Sequence, residues 1–134
     1  GGAFASYGRN VQAQDVIRKT WQLGMATLAE QPNVAVKLSG FFMPVVGWGF
    51  EMRDQPVSPQ ELLDAFAPAA RFVLEQFGVE RCLFASNFPM DKVSLSLRQL
   101  YALYAATVAD MPPDDQRKLF HDNAQRIYRL APEI

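Results

Sequence analysis

Arg81-Cys82-Leu83-Phe84-Ala85-Ser86-Asn87-Phe88-Pro89-Met90-Asp91-Lys92 is the stretch whose reading decides the fold. Its first half, residues 81–86, is short, apolar and bounded by turn-forming residues, the pattern of a fully buried strand. The period of two puts Leu83, Ala85 and Asn87 on one face, and Cys82, Phe84 and Ser86 on the other. Upstream, Asn33-Val34-Ala35-Val36-Lys37-Leu38-Ser39 alternates strictly: Val34, Val36 and Leu38 share one face, Ala35, Lys37 and Ser39 the opposite one.

Helical patterns separate and flank these two strands. Ile17, Trp21, Met25 and Leu28 recur at spacings of three and four, which predicts a helix over residues 11–30, broken by Gln31-Pro32-Asn33. Ser58-Pro59-Gln60-Glu61 reads as a capping box with proline in the first turn. The helix it opens carries Leu62, Phe66, Ala69 or Ala70, Val73 and Phe77 as its buried stripe and stops at Gly78, and Pro68 is expected to kink or split it. A third helix is expected from about residue 94 to 110, with Leu97, Leu100, Tyr101, Tyr104 and Val108 facing the core. Met111-Pro112-Pro113 ends it, and Asp114 and Asp115 open the last helical region at its electropositive end. Strands separated by helices imply βαβ crossovers, hence an α/β fold with a parallel sheet. Two strands alone do not make a parallel sheet buried on both faces, so the expected sheet is incomplete.

Composition narrows the function classes. The 134 residues are 49% hydrophobic and 20% charged, as in an ordinary globular domain. Thirteen Lys+Arg against fourteen Asp+Glu leave no basic excess for a phosphate backbone, so nucleic acid is not an expected partner. The apolar runs fall short of the roughly 18–20 residues needed to span a bilayer, and no signal-peptide pattern opens the sequence. One cysteine, Cys82, allows no internal disulfide and points to a reducing, cytoplasmic setting; in an apolar strand it reads as a buried structural thiol. The single histidine, His121, excludes a His-rich metal site built from this chain alone. The long connection over residues 40–57 is the unusual segment: Phe41, Phe42, Trp48 and Phe50 stand among glycines and prolines. Such a loop is expected to be packed by its own side chains or folded over a pocket.

The stretch RCLFASNFPMDK, preceded by Phe77-Gly78-Val79-Glu80, resembles the final strand of the amidohydrolase-2 group, hydrolases built on a TIM barrel, where it usually reads like FGPDRLMFGSDWP. Pro32-Asn33-Val34-Ala35-Val36-Lys37-Leu38-Ser39-Gly40 is similar to that group's penultimate strand. Asn123-Ala124-Gln125-Arg126-Ile127-Tyr128-Arg129-Leu130 is similar to its closing helix, and Gly1-Gly2 to the pair that follows a histidine at the end of the sixth strand. The resemblance covers essentially the whole chain. It implies that residues 1–134 are the C-terminal portion of a (β/α)8 barrel, from the end of strand six through helix eight, with about two parallel strands and three or four helices. The group's His-x-His and further histidines would lie upstream.

In such a barrel the site lies at the C-terminal ends of the strands. The resemblance places Asn87 in the mouth, where the group usually has aspartate. An amide can orient a water or donate to a developing oxyanion, but it cannot take a proton as a carboxylate does. Asp91, four residues on, is the candidate for the missing carboxylate, beside the plainer reading of a helix-start or surface residue. Lys37 is a candidate for holding an anionic substrate group or an internal carboxylate, Arg53 for clamping a substrate carboxylate, and Trp48 for a substrate wall or for loop core. His121 is expected to lie far from the mouth. The implied activity is hydrolysis of a small carbonyl substrate, a lactone or a related C–O or C–N bond. A decarboxylase is the neighbouring alternative, and a non-catalytic α/β fragment that needs a partner chain is the alternative from another class. No metal ligand is expected from this chain; one divalent ion, zinc, is expected at most in a complete barrel. A small-molecule substrate is the expected partner, no membrane is, and a homo-oligomer stays open. The two strands should lie adjacent and parallel, with Lys37 and Asn87 opening to one cavity beneath the long loop.

Overall fold

Ser58 fixes the register of the central helix. A computed structural model describes residues 11–131, with side chains from residue 14, so the Gly1-Gly2 pair lies outside the described residues. The Ser58 hydroxyl accepts from the Glu61 backbone N–H and the Glu61 carboxylate accepts from the Ser58 N–H, a complete capping box. The helix so started runs unbroken from Pro59 to Phe77 and buries Leu62, Phe66, Ala70, Val73 and Phe77, the expected stripe. Pro68 does not split it. Proline forfeits one backbone bond, to the carbonyl one turn back, and it stands on the exposed face of the helix. Gly78, at φ +75°, ends the helix in a conformation that a side chain would resist.

The other elements follow in chain order. Helix α1 spans Val11–Ala29, β1 Val36–Leu38, α2 Pro59–Phe77, β2 Cys82–Phe84, α3 Leu97–Thr107, α4 Pro113–Arg117 and α5 Asn123–Ile127. A π-helical stretch, Lys118–Asp122, joins α4 to α5. On α1 the buried side follows steps of four, through Trp21, Met25 and Ala29; Leu28, expected inside, is 48% exposed. Helix α3 begins later than the sequence predicts. Ser94 is drawn out of it by a bond from its hydroxyl to the Phe42 carbonyl (2.6 Å), and Ser96 with Gln99 builds the capping box instead. Leu103 and Thr107 take the inner positions expected of Leu97 and Tyr101, which are part-exposed.

Strands β1 and β2 pair in parallel, Val36 opposite Cys82, Lys37 opposite Leu83 and Leu38 opposite Phe84. Each is three residues long, shorter than the alternation suggests, and one further bond from the Ala85 N–H to the Leu38 carbonyl extends the ladder. Partners in register share a face, so Leu38, Cys82 and Phe84 pack into the helical core, while the other face carries exposed Lys37 and its buried partner Leu83. The core centres on Phe66, fully buried, ringed by Phe41, Phe42 and Tyr104; Phe84 stacks on Tyr104 at 4.4 Å. Among the described residues no helix is long and apolar enough to cross a membrane.

Candidate functional site

Both strands run the same way, so their C-terminal ends, and the loops that leave them, gather on one side of the sheet. Gly40 leaves β1 there with φ +73°, and Asn87 leaves β2. The two meet: a Cβ on Gly40 would lie 3.7 Å from Asn87 Nδ2. Glycine here supplies the left-handed backbone, and it brings the strand end into van der Waals reach of the Asn87 amide.

Beyond Asn87 the chain folds back in a tight turn, Met90–Val93. The Asp91 N–H donates to the Asn87 carbonyl (3.2 Å), and the Asp91 carbonyl accepts from the N–H groups of Ser94 (3.0 Å) and Leu95 (3.2 Å). The turn carries the Asp91 side chain inward, to 0% exposure. Neither of its carboxyl oxygens has a hydrogen-bond partner, and neither does Asn87 Nδ2. Burial away from water raises the Asp91 pKa above the usual carboxylate value; the neighbouring Asn87 amide and backbone offset part of that rise, although the amide contact falls short of a hydrogen bond. Leaving such a group unpaired costs about 1–3 kcal/mol, and more when it is charged. Tyr104, rising from α3, is committed elsewhere: its hydroxyl donates to the Ala85 carbonyl (3.0 Å), and burial, with Asp91 nearby, raises its pKa.

The remaining candidates lie apart from this pair. Lys37 is exposed, and its ammonium makes no hydrogen bond or ion pair among the described residues. It lines a cavity of about 290 Å³ with Ser39, Gly40, Phe41, Trp21 and Met25, along β1 and α1; Asn87 does not line it. Trp48 donates from its indole nitrogen to the Phe41 carbonyl (2.9 Å) and stacks on Phe50 at 5.8 Å, so it packs the loop against itself. Arg53 lies over the Phe50 ring and binds the Glu61 carboxylate at 2.6 Å. The structure therefore brings Asn87 and Asp91 together and holds Trp48 and Arg53 within the loop and its junction with α2.

His121 sits at the other end of the molecule's chemistry. It is exposed and paired with Asp122 (2.8 Å), two residues before Asn123, whose amide donates to the carbonyls of Val79 and Cys82 at the start of β2. Cys82 is buried, and desolvation pushes its pKa up to about 11. Among the described residues no three His, Cys, Asp or Glu side chains cluster as metal ligands. One neutral amide and one buried carboxyl at the strand end do not form a zinc donor set, which asks for about four N, S or O ligands in tetrahedral array. Sequence reasoning missed the contribution of Ser94 and Tyr104 to this corner. Both were read as helix residues, and only the capping box at Ser96 marks Ser94 as lying outside the helix.

Solved structures give the fold its setting. The chain superimposes on a crystal structure of an amidohydrolase from Burkholderia multivorans with bound HEPES at a TM-score of 0.75, with 22% identity, covering 96% of this chain and 42% of that one. A second structure, described as that amidohydrolase with bound zinc, gives a TM-score of 0.70 and 22% identity over 83% of this chain and 37% of that one. At this identity the likeness shows the fold: the two parallel strands and their helices are the C-terminal portion of a (β/α)8 barrel, as the sequence predicts. Among curated proteins, the chain is 34% identical over 110 residues to the uncharacterized protein y4mH of Sinorhizobium fredii, covering 82% of this chain and 33% of that protein. It is 26% identical over 117 residues to an L-fucono-1,5-lactonase of Burkholderia ambifaria, covering 84% of this chain and 36% of that enzyme. The chain thus spans about a third of the length of the curated relatives it matches. The amidohydrolase family profile matches residues 7–130, nearly the whole sequence, and the chain belongs to that family.

Proposed function

We propose that this chain supplies the C-terminal part of a hydrolase acting on a small carbonyl substrate, with a lactone as the bond class. The observation that carries the reading is Asn87: a polar side chain at the C-terminal end of a parallel strand, packed against Gly40 at the end of the neighbouring strand. In a barrel this end is the mouth. The similarity to an L-fucono-1,5-lactonase supports the choice of a cyclic ester. In the reaction, water adds to the lactone carbonyl, the ring C–O bond breaks, and the leaving alkoxide takes a proton to give the open hydroxy acid. Asn87 accepts a hydrogen bond from the attacking water through its amide oxygen and so orients it; the amide is too weak a base to deprotonate it. Lys37, exposed and unpaired among the described residues, offers a cation to an anionic substrate group or to a carboxylate of the barrel interior. Trp48 and Arg53 shape the loop beside the mouth. The described residues hold no cluster of three His, Cys, Asp or Glu side chains, so they do not by themselves form a complete site for a divalent ion.

The test is acid release from a panel of five- and six-membered sugar lactones by the complete gene product. Turnover well above buffer, with kcat lowered about tenfold or more by Asn87→Ala, is expected; a tenfold loss corresponds to about 1.4 kcal/mol of barrel-mouth stabilisation of the transition state. Carbon dioxide release without lactone turnover would move the reading to decarboxylation.

A further inference from the structure

Among the described residues, the buried polar atoms without a hydrogen-bond partner belong to two side chains, Asn87 through Nδ2 and Asp91 through both carboxyl oxygens. They are one turn apart, and the backbone bond from Asp91 to Asn87 holds them together. A buried polar group in a native protein finds a partner or serves a purpose. Here each of the two orphans is what the other lacks: an amide N–H donor beside a carboxyl acceptor.

We propose that Asp91 is a positioning residue for Asn87: its buried carboxyl takes the Asn87 amide nitrogen and thereby turns the amide oxygen toward the barrel mouth. The inference rests on the reading of Asn87 as a mouth residue given above. Other roles for Asp91 fit the geometry less well. A surface aspartate would be solvated, and this one is 0% exposed. A base that takes a proton from substrate water needs access to the mouth, which full burial denies it. Tyr104, the neighbouring hydroxyl, already donates to the Ala85 carbonyl. The turn is also pinned so that Asp91 stays inward: Ser94 and Leu95 bind its carbonyl, and the Ser94 hydroxyl ties the following residues to Phe42 in the long loop. Gly40 closes the other side of the amide. The Asn87 nitrogen is the buried end of the amide, and the carboxyl beside it selects that orientation, nitrogen in and oxygen out. An amide so fixed presents an acceptor to water without spending rotational freedom at each turnover.

The experiment uses the complete gene product labelled with ¹⁵N-asparagine, the Asn87 side-chain resonance being identified by its loss in Asn87→Ala. The Asn87 NH₂ pair is expected to be shifted and slow to exchange. Asp91→Leu should return it to free-amide values, while Asp91→Asn, whose amide oxygen still accepts, should largely keep it. Should Asp91→Leu fail to fold, Asn87→Ala reports from the other side through the ¹³C shift of the Asp91 carboxyl, which moves if the two groups touch. An Asn87 pair indifferent to Asp91→Leu, or an Asp91 carboxyl indifferent to Asn87→Ala, overturns the proposal. On lactone substrates, Asp91→Leu should lower kcat by about the same factor as Asn87→Ala, tenfold or more, and add nothing in the double variant. Losses that multiply would mean Asp91 acts independently and would also overturn it. Absence of lactone turnover in the unmutated protein strikes the functional reading alone, since the resonance arm still decides the contact.

Discussion

Asn87 and Cys82 lie on one short strand and its exit, yet their surroundings give them opposite chemistry. Cys82 points with Phe84 into the helical core, and burial pushes its thiol up to about 11. At pH 8 roughly a thousandth of it is thiolate, so it should be inert toward iodoacetamide in the folded protein and react fully once denatured. Stoichiometric labelling of the native thiol, read by mass spectrometry, would contradict its placement. The period of two made this division legible from the sequence, because Cys82 and Asn87 fall on opposite faces whichever way the strand is turned. The burial of Asp91 was not legible. Its neighbours Met90 and Lys92 are both exposed, and the inward direction comes from bonds to residues 87, 94 and 95 that no local periodicity announces.

At the scale of elements, the Ser58–Glu61 capping box was legible because its logic is local, whereas the Ser96–Gln99 box was passed over for a helix start at Ser94. Ser58→Ala should remove the acceptor for the Glu61 N–H and cost about 1 kcal/mol in urea denaturation, with an unchanged slope. Glu61 itself adds a pH dependence. The Arg53 guanidinium, foremost, and then Ser58 lower its pKa from 4.5 to about 2. A folded pKa below the unfolded one means the stabilisation is complete above pH 4.5 and is lost as pH falls toward 2. Arg53→Ala should therefore raise the Glu61 pKa and remove a small stabilisation that is present at neutrality and fades toward pH 2, and an acid titration of the Glu61 carboxyl by NMR checks the direction. Both groups are solvent-exposed, so the effect is small. Strand lengths were less legible than helix starts. Residues 33–39 alternate over seven positions, but only Val36–Leu38 find a partner among the described residues, because a strand extends only as far as its neighbour does. Arg81 is the least expected of the connectors. Its guanidinium donates to the carbonyls of Phe77 (3.0 Å), Ala29 (2.9 Å) and Gln31 (2.7 Å), closing the ends of α1 and α2 at the start of β2. Arg81→Ala should lower the urea midpoint by the equivalent of about 2–4 kcal/mol, as several charge-assisted bonds are lost together.

At the scale of the molecule, the arrangement of titratable groups decides what the 134 residues do unaided. Hydrolysis of a lactone asks for a group that takes a proton from water. At the strand ends this chain offers Asn87, which is neutral, and Asp91, which is buried with its pKa raised. Lys37 is a cation, and the single imidazole, His121, is paired with Asp122 on a helical run anchored to the opposite end of β2. The sheet is small as well: among the described residues two strands pair, and Lys37 on its face is exposed. A mouth needs walls on every side to exclude water and to strengthen the fields that act on substrate. The purified 134-residue chain is accordingly expected to open sugar lactones no faster than buffer. The complete gene product, assayed at the same molar concentration and pH, should exceed that blank. Lactone turnover by the 134 residues alone, removed by Asn87→Ala and untouched by His121→Ala, would show instead that the amide and its buried carboxyl suffice, and would move the base from the rest of the barrel to this corner.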